Sequence, residues 1–256
     1  MLAWIGTRLI NSSAASLSFL QLFGETIVGA LTPPFRVRDT IRQFYFVANQ
    51  SALIIAFCVS FAAVVTIIEA SYHMKLVIQN DTMVPGFAAM LILRELGSVV
   101  MALLLTSRVG AGFAAEVASM QVTEQIDAFR MLGLDPVRLI VVPRFVACLL
   151  AGFVLSIFAN LVCLYCAMLV STMKLGYTMG GFIVAMRTFV HFRDLVFASI
   201  KGTAFGSVIP IFSCYCGFRC RAGAEGVGLA TTRSVVATSI AIIMIDFVLT
   251  FVFAYF

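Results

Sequence analysis

The sequence is divided by five long apolar stretches that hold few charged residues. About 20 apolar residues in a helix cross the hydrocarbon core of a bilayer, which is roughly 30 Å thick. Each stretch is long enough for one crossing, so we predict an all-α polytopic membrane protein with five transmembrane helices. The predicted spans are residues 43–68, 82–107, 145–173, 195–218 and 234–256.

Composition favours the same fold class. Hydrophobic residues make up 62% of the chain and charged residues 11%, whereas a soluble domain carries roughly 25% charged residues. The formal net charge is +5, but the arginines gather at the ends of the apolar stretches, where they orient the helices and contact lipid headgroups. No basic patch interleaved with aromatic residues is present in the sequence, so we expect no nucleic-acid partner.

The longest polar segment, residues 108–144, separates the second and third predicted spans. We expect it to lie in water beside the membrane and to contain a short helix. Thr123 is a suitable N-cap, Gly133 can adopt the left-handed conformation that ends a helix, and Pro136 prevents continuation. The segment carries charges of both signs: Arg108, Glu116, Glu124, Asp127, Arg130, Asp135, Arg138 and Arg144.

Arginine positions predict the orientation of the bundle. Loops on the cytoplasmic side of a membrane carry an excess of lysine and arginine. If residues 108–144 are cytoplasmic, the N-terminus is cytoplasmic and the C-terminus lies on the opposite side. The cytoplasmic side then also holds the arginines that flank the other spans: Arg36, Arg38, Arg42, Arg219, Arg221 and Arg233.

Residues 1–42 precede the first span, and we predict that they form an interfacial helix and a lead-in. Apolar residues recur there at helical spacing and Pro33-Pro34 ends the pattern, which is typical of a helix lying on the inner leaflet. A helix packed against the bundle explains the spacing equally well. The stripe consists of Leu17, Leu20, Phe23, Ile27 and Leu31. No second domain is indicated, so we predict that residues 1–256 form a single domain.

Four charged residues fall inside the predicted spans, namely Arg94, Glu95, Lys201 and Asp246. A charge at the bilayer centre costs at least ~2.5 kcal/mol on insertion scales, so these residues should face the bundle interior and pair with one another. They either fix the packing of the helices or line a polar cavity for an amphipathic molecule. We expect Arg94, Glu95 and Lys201 to border such a cavity and Asp246 to be a structural partner. A proton relay is disfavoured because no histidine lies in a predicted span.

A second candidate site is a helical face in the polar segment. Residues at offsets of four, four, three and four would lie on one side of a helix, if the helix runs that far. Such a face could dock a soluble partner. Its members are Glu116, Met120, Glu124, Asp127 and Met131.

The sequence contains no motif for catalysis by this chain. It has no GxxxxGK[ST] phosphate loop, no HExxH and no GxSxG, which are the signatures of nucleotide, zinc and serine-hydrolase sites. Cys163 and Cys166 form a CxxC pair, but they lie within the third span and no second ligand pair accompanies them. We therefore interpret these cysteines as packing residues and predict neither an enzyme nor a metal site.

Two long motifs resemble one known family. LILRELGSVV, followed by TSRVGAGFAAEVASMQVTEQIDAFRMLGLDPVRLIVVPRFVA, and the closing AGAEGVGLATTRSVVATSIAIIMIDFVLT closely resemble the MlaE/YrbE family of ABC-transporter permeases. The resemblance covers the chain from about Ile41 onward. Two positions depart from the family pattern, because Ser98 stands where proline is frequent and Ser107 where glycine is common.

The resemblance implies a lipid transporter of several subunits. The permease would be a homodimer driven by two cytoplasmic ABC ATPase subunits, which bind ATP and magnesium, while this chain holds no cofactor. An MCE-domain protein would cap the periplasmic side, and a small cytoplasmic accessory subunit is a further implied partner. The family's coupling helix maps onto Glu116 to Leu132, with the pair Glu124 and Gln125. A bacterial inner membrane is favoured over the chloroplast inner envelope, and phospholipid or a related lipid is the implied substrate.

The sequence is also compatible with two other function classes. A self-contained secondary transporter or channel for an amphipathic solute would need a coupling-ion site inside the spans and no ATPase. If the chain were a structural membrane scaffold, transport would continue when its partners cannot hydrolyse ATP. Adjacent ATPase and MCE genes would favour the ABC permease over both.

Overall fold

The computed structural model describes residues 2–33, 36–77, 83–220 and 223–255. Within these ranges the chain is helical and contains no β-strand. The predicted boundaries at Pro34, Thr82 and Phe256, and Arg221 of the orientation argument, lie outside the described residues.

Eight helices make up the described part of the chain. They are α1 (Leu2–Leu31), α2 (Val37–Val77), α3 (Val84–Val122), α4 (Gln125–Met131), α5 (Val137–Lys174), α6 (Met179–Phe189), α7 (Phe192–Phe218) and α8 (Ala224–Tyr255). Five of them, α2, α3, α5, α7 and α8, are long and apolar enough to cross a membrane. The predicted all-α polytopic class and the number of spans are confirmed.

The predicted polar segment at 108–144 overlaps the ends of two spanning helices. Helix α3 continues to Val122 and α5 already begins at Val137, so only residues 123–136 lie between these helices. The second predicted span stopped at residue 107 because Arg108 follows it. A charge that finds a partner can stay in a helix, and Arg108 does so by donating hydrogen bonds to Ser51 Oγ (2.7 Å) and Gln50 Oε1 (3.0 Å) on α2.

Helix α3 departs twice from regular α geometry, at π turns over Ile92–Leu96 and Thr106–Gly110. Such turns are rare and frequently occur at functional sites. The first contains Arg94 and Glu95, and the second contains Arg108. The wider turns therefore coincide with charged side chains of the bundle.

Helices α5 and α7 approach each other so closely that only glycine fits at their contact. A Cβ atom on Gly152 would lie 2.4 Å from the Gly202 carbonyl oxygen, and one on Gly206 would lie 2.4 Å from the Cys148 carbonyl oxygen. Gly202 and Gly206 form a GxxxG pair, a spacing that brings membrane helices into backbone contact. This contact sets the separation of the two helices at the centre of the bundle.

Helix α1 packs on the bundle through a different face from the predicted stripe. Leu22 and Thr26 are buried, and Phe19 stacks on Phe212 of α7 with ring centroids 4.6 Å apart. The predicted stripe faces outward, because its members Leu17, Leu20, Phe23, Ile27 and Leu31 are all exposed. The helix thus contacts the bundle on one side and presents apolar side chains on another, as an interfacial position requires.

Helix α6 was not predicted, since residues 179–189 were taken as part of an outer loop. Thr178 caps its start by accepting a hydrogen bond from the Gly181 N–H at 3.1 Å. The helix lies against the first turns of α3, where a Cβ on Gly86 would be 2.3 Å from Phe189 Cδ2. It closes the end of the bundle opposite α4.

Candidate functional site

Lys201 of α7 is the centre of a buried charge cluster. Its side chain is 0% exposed, and its Nζ donates hydrogen bonds to Glu95 Oε2 (2.8 Å), to Thr250 Oγ1 (2.8 Å) and to the main-chain oxygen of Arg94 (2.9 Å). An ammonium group has three N–H donors. All three are therefore used, and they join α7 to α3 and α8.

Asp246 of α8 supplies a second negative charge to the same ammonium. Its Oδ1 lies 2.6 Å from Lys201 Nζ, but this oxygen accepts no hydrogen bond from the described residues. Asp246 therefore contributes electrostatic attraction to the ammonium without a well-directed hydrogen bond. Thr250, one turn further along α8, donates to Glu95 Oε1 at 3.1 Å and closes the ring of contacts.

Arg94 does not pair with Glu95 or Asp246, as the balance of charges suggested, but with Asp194. Its Nε donates to Asp194 Oδ1 at 2.7 Å, and Asp194 Oδ2 accepts from the His191 main-chain N–H at 2.9 Å. Asp194 is almost fully buried, whereas the Arg94 side chain is 48% exposed. The pair ties α3 to the start of α7 and leaves part of the guanidinium accessible.

The expectation that Lys201 borders a cavity is not met in this structure. Lys201 is enclosed, and Phe197 covers it with its ring centroid 4.7 Å from Nζ. Glu95 is 39% exposed and Asp246 is 20% exposed. The most accessible groups of the cluster are thus Arg94 and Glu95, and Asp246 is less accessible.

Arg94 and Glu95 lie in the first half of α3, closer to its α6 end than to its α4 end. They lie ten and eleven residues after Val84 in a helix of 39 residues, or roughly 15 Å along its axis from the α6 end. The charges therefore belong to the half of the bundle that α6 closes.

Two members of the cluster were missed in the sequence. Asp194 fell one residue outside the predicted fourth span, although it precedes Lys201 by two helical turns and shares its face. Thr250 follows Asp246 by four residues, which also places the two on one face. Spacing relative to the known charges was the signal that could have found both.

The second candidate site is α4, which is set between two sharp turns. Glu124 has a left-handed backbone with φ of 59°, and it separates α3 from α4. Thr123 ends α3 rather than capping α4, so its predicted role was wrong. The predicted left-handed end at Gly133 is confirmed by its φ of 72°.

The end of α4 is a complete Schellman motif. Gly133 N–H bonds to the Arg130 carbonyl at 3.0 Å, and Leu134 N–H bonds to the Phe129 carbonyl at 2.9 Å. This pattern satisfies the last free carbonyls of a helix. The short helix is thereby fixed at both ends despite its seven residues.

Ile126 anchors α4 with Phe129 partly buried beside it, and most other side chains of the helix are exposed. Ile126 is fully buried in a small core that it shares with Leu22, Val117 and Val141 of three other helices. Met131 is 89% exposed and Leu132 is 73% exposed. Exposed apolar side chains of this kind are suited to a protein contact. The other predicted docking residues of α4 and its first turn, Glu124, Gln125 and Asp127, are also exposed.

Glu116 and Met120 do not share a helical face with these residues. They lie on α3, and the left-handed turn at Glu124 interrupts the helix before α4 begins. The predicted continuous face was therefore wrong. Glu116 pairs instead with Arg144 of α5, with 2.6 Å between Oε2 and Nη2. Arg144 is buried and lies over the Phe113 ring at 5.1 Å, so this pair joins the two helices that flank the α4 segment.

Comparison with known proteins decides the family. The sequence profile of the family described as Permease MlaE matches residues 40–252, which is most of the chain. The chain belongs to the MlaE permease family.

Relatives of this MlaE-family permease extend over nearly the whole chain. A probable ABC transporter permease of Rickettsia prowazekii is 32% identical over 241 residues, covering 94% of this chain and 93% of its own length. The intermembrane phospholipid transport system permease MlaE of Haemophilus influenzae is 31% identical over 232 residues, covering 89% and 88%. The chloroplast protein TRIGALACTOSYLDIACYLGLYCEROL 1 of Arabidopsis thaliana is 30% identical, covering 91% and 66%. The chain is thus a multi-pass membrane protein and a permease of the ABC-transporter type.

One cysteine of the CxxC pair packs between two spanning helices of this MlaE-family permease. Cys163 is buried and its thiol donates to the Val59 carbonyl at 3.4 Å, which ties α5 to α2. Over the described ranges, no group of three histidine, cysteine or acidic side chains is arranged to hold a metal ion.

Proposed function

We propose that the chain is the non-catalytic membrane subunit of an ATP-driven transporter that moves phospholipid or a related lipid. The lipid would pass between the inner membrane and a periplasmic MCE-domain protein. Separate cytoplasmic ABC ATPase subunits would bind ATP and magnesium and supply the energy. Family membership supports this proposal, as does the similarity to a relative whose name specifies phospholipid transport.

One structural relationship carries the proposal: helix α3 connects the two candidate sites. Arg94 and Glu95 lie near its first end, and α4 follows its last residue, Val122, after a single turn. From Glu95 to Val122 the helix is continuous, which corresponds to about 40 Å of rod. A force applied to α4 by an ATPase would therefore reach the charge cluster through one helix.

The accessible charges suit a lipid headgroup. Arg94 can offer its exposed guanidinium nitrogens to a phosphate, for which arginine is the preferred bidentate partner. Three carboxylates face two cations in the cluster, which leaves one net negative formal charge. Glu95 and Asp246 could accept hydrogen bonds from a headgroup amine. We propose that Arg94 and Glu95 contact lipid, while Lys201 holds α3, α7 and α8 together.

A second copy of the chain is the proposed partner for α8. Its most apolar window is 11% buried, whereas the windows of the other four spanning helices are 28 to 56% buried. Asp246 on α8 and Glu95 beside it are partly exposed, and charged groups within spanning helices are normally covered by protein or by a water-filled cavity. A dimer built on α8 would enclose the accessible side of the cluster.

The proposed orientation places α4 in the cytoplasm and α6 on the periplasmic side. The MCE-domain protein would then meet the α6 end, and a small accessory subunit would bind on the ATPase side. The membrane would be the bacterial inner membrane. This arrangement follows the arginine distribution and the position of α4 between two spanning helices.

Charge reversal on α4 tests the coupling role. Asp127→Lys combined with Glu124→Lys should leave the permease inserted but remove most lipid-stimulated ATP hydrolysis in complexes reconstituted with the ATPase. Glu225→Lys is the matched control, because Glu225 is an exposed acid in the first turn of α8. Unchanged stimulation in the α4 double variant would refute docking through this helix. Lipid transfer that persists with a hydrolysis-deficient ATPase would instead favour a self-contained secondary transporter or a scaffold.

A further inference from the structure

An amphipathic cavity lies far from the charge cluster, at the α4 end of the bundle. It has a volume of about 1130 Å³ and is bounded by α1, α2 and the first half of α5. Ligand sites usually measure about 300–1,000 Å³, so this cavity could hold the headgroup and upper chains of a large amphipath. None of the charged residues of the cluster lines it.

The wall contributed by α5 changes from polar to apolar along a single helical row. Arg138, Val142, Val146 and Leu150 all line the cavity and follow one another at intervals of four residues, which stacks them on one face. The row is about 18 Å long. It begins beside the α4 segment and continues into the middle of a spanning helix. The polarity gradient therefore runs along the direction of the membrane normal.

The α2 wall also changes from polar to apolar. Arg36, just before α2, lies at the polar end, and Ile41 lies further along the helix. On α1, Gly29 brings the backbone so close to α5 that a Cβ there would be 2.8 Å from Val142 Cγ2. This contact closes the back of the cavity. Ile41 and Leu150 are exposed, so the apolar part opens sideways toward the lipid.

The two arginines at the polar end are weakly held by their present partners. Arg36 pairs with Asp39 at 3.1 Å and Arg138 pairs with Asp135 at 3.8 Å, each within its own segment and with about half of each side chain exposed. Exposed pairs of this kind contribute little stability. A phosphate between the guanidinium groups would form stronger, charge-assisted bonds. Asp135, which also lines the cavity, could then accept a bond from a headgroup amine.

From this gradient we propose that the cavity between α1, α2 and α5 binds one phospholipid of the adjacent leaflet. Its phosphate lies between Arg36 and Arg138, and its acyl chains follow Val142, Val146 and Leu150. A soluble protein segment would approach the polar end and leave the apolar row open to the side. A lipid fills both parts in the orientation it already has in the membrane. The site does not depend on the transport function proposed above.

The test uses a phosphatidylethanolamine with a photoactivatable acyl chain, mixed into liposomes of phosphatidylethanolamine and phosphatidylglycerol that contain the purified chain. Crosslinks are mapped by mass spectrometry. We expect enrichment at residues 142–150 over the exposed outer face around Leu161 of the same helix. Arg36→Gln with Arg138→Gln should lower this enrichment about tenfold, since two charge-assisted contacts are lost. Arg187→Gln with Arg193→Gln is the matched control, because both arginines are exposed near the other end of the bundle.

Blocking the apolar part provides an independent variant. Val146→Trp should lower the crosslinking of residues 142–150 while Leu161→Trp leaves it unchanged. A diacylglycerol with the same photoactivatable chain should show no enrichment, because it lacks the phosphate. Equal labelling by diacylglycerol, or labelling that both arginine substitutions leave intact, would overturn the proposal in favour of ordinary surface lipid. Loss of the crosslinks when the ATPase subunit is added would overturn it in favour of a subunit contact.

Discussion

Lys201 on α7 and Glu95 on α3 form an ion pair of 2.8 Å that neither helix could stabilise alone. The ammonium is fully enclosed, while the carboxylate reaches the edge of the bundle. Lys201 also bonds the Arg94 carbonyl within the π turn of α3. The pair therefore fixes the geometry of an irregular turn as well as the separation of two spanning helices.

Removing the ammonium should be strongly destabilising. Lys201→Met leaves Glu95 and Asp246 without their common cation, and loss of one partner from a buried ion pair costs about 3–5 kcal/mol. The triple variant with Glu95→Gln and Asp246→Asn should recover much of this loss, because no unpaired charge remains. Thermal unfolding of the detergent-purified proteins measures both. A triple variant as unstable as the single one would argue against the ion pairs as the source of stability.

Arg94 should show a different pattern if it contacts lipid. Arg94→Gln should lower the amount of co-purified phospholipid, since the exposed guanidinium can no longer bind a phosphate. Adding Asp194→Asn removes the carboxylate that this variant leaves unpaired, so it should restore stability but not lipid occupancy. Phosphorus content per protein and unfolding temperature separate the two effects. Full lipid occupancy in a stable Arg94→Gln protein would contradict the contact.

The glycine contact between α5 and α7 should not accept a methyl group. Gly206→Ala would bring a Cβ to 2.4 Å from the Cys148 carbonyl oxygen, and overpacking of this kind costs about 1–3 kcal/mol. Gly228→Ala on α8 is the matched control, because nothing lies within 4 Å of its Cβ position. We expect a lower unfolding temperature for Gly206→Ala and no loss for Gly228→Ala. Equal stability of the two variants would contradict backbone contact at Gly206.

The two left-handed residues around α4 predict effects of opposite sign. Glu124→Gly should raise stability and Gly133→Ala should lower it, each by about 1 kcal/mol, because a side chain in this conformation is strained and glycine is not. Hydrogen exchange of the α4 amides measures the local effect. Faster exchange in Glu124→Gly would show that the carboxylate contributes more than its backbone strain costs.

Topology can be tested with labels at the two ends of the bundle. In a background whose seven cysteines are replaced, Leu132→Cys should react with a membrane-impermeant reagent only from the cytoplasmic side, and Gly180→Cys only from the periplasmic side. Leu132 and Gly180 are both exposed and lie outside the spanning helices. Reaction of both from the same side would exclude a five-span arrangement.

Much of the fold could be read from the sequence because the bilayer imposes a length on apolar segments. That constraint gave the number of spans and left their ends uncertain. Arg108 was placed in the polar segment because it follows an apolar stretch, and Glu116 was placed on one helical face with Asp127. Their partners on α2 and α5 are more than 25 residues away in sequence, and no local pattern indicates them.

The candidate sites divide in the same way. The apolar stretches around Lys201, Glu95 and Asp246 identified them as charges that need partners. The residues that end helices identified the left-handed Gly133. The sequence did not reveal that Arg94 pairs with Asp194, or that Glu116 belongs to a different contact from Asp127. Those assignments depend on which faces of α3, α5 and α7 meet.

The sequence by itself determined the membrane class, the five spans, the presence of charges that must be paired and the short helix between spans two and three. These properties follow from the free energy of transferring individual residues into lipid and from local turn geometry, both of which depend on residue type and near neighbours. Only the tertiary structure decided which charges pair, which of them stay accessible and where an amphipathic cavity opens. Those outcomes depend on contacts between residues far apart in the sequence, such as the close approach of α5 and α7 at Gly152, Gly202 and Gly206.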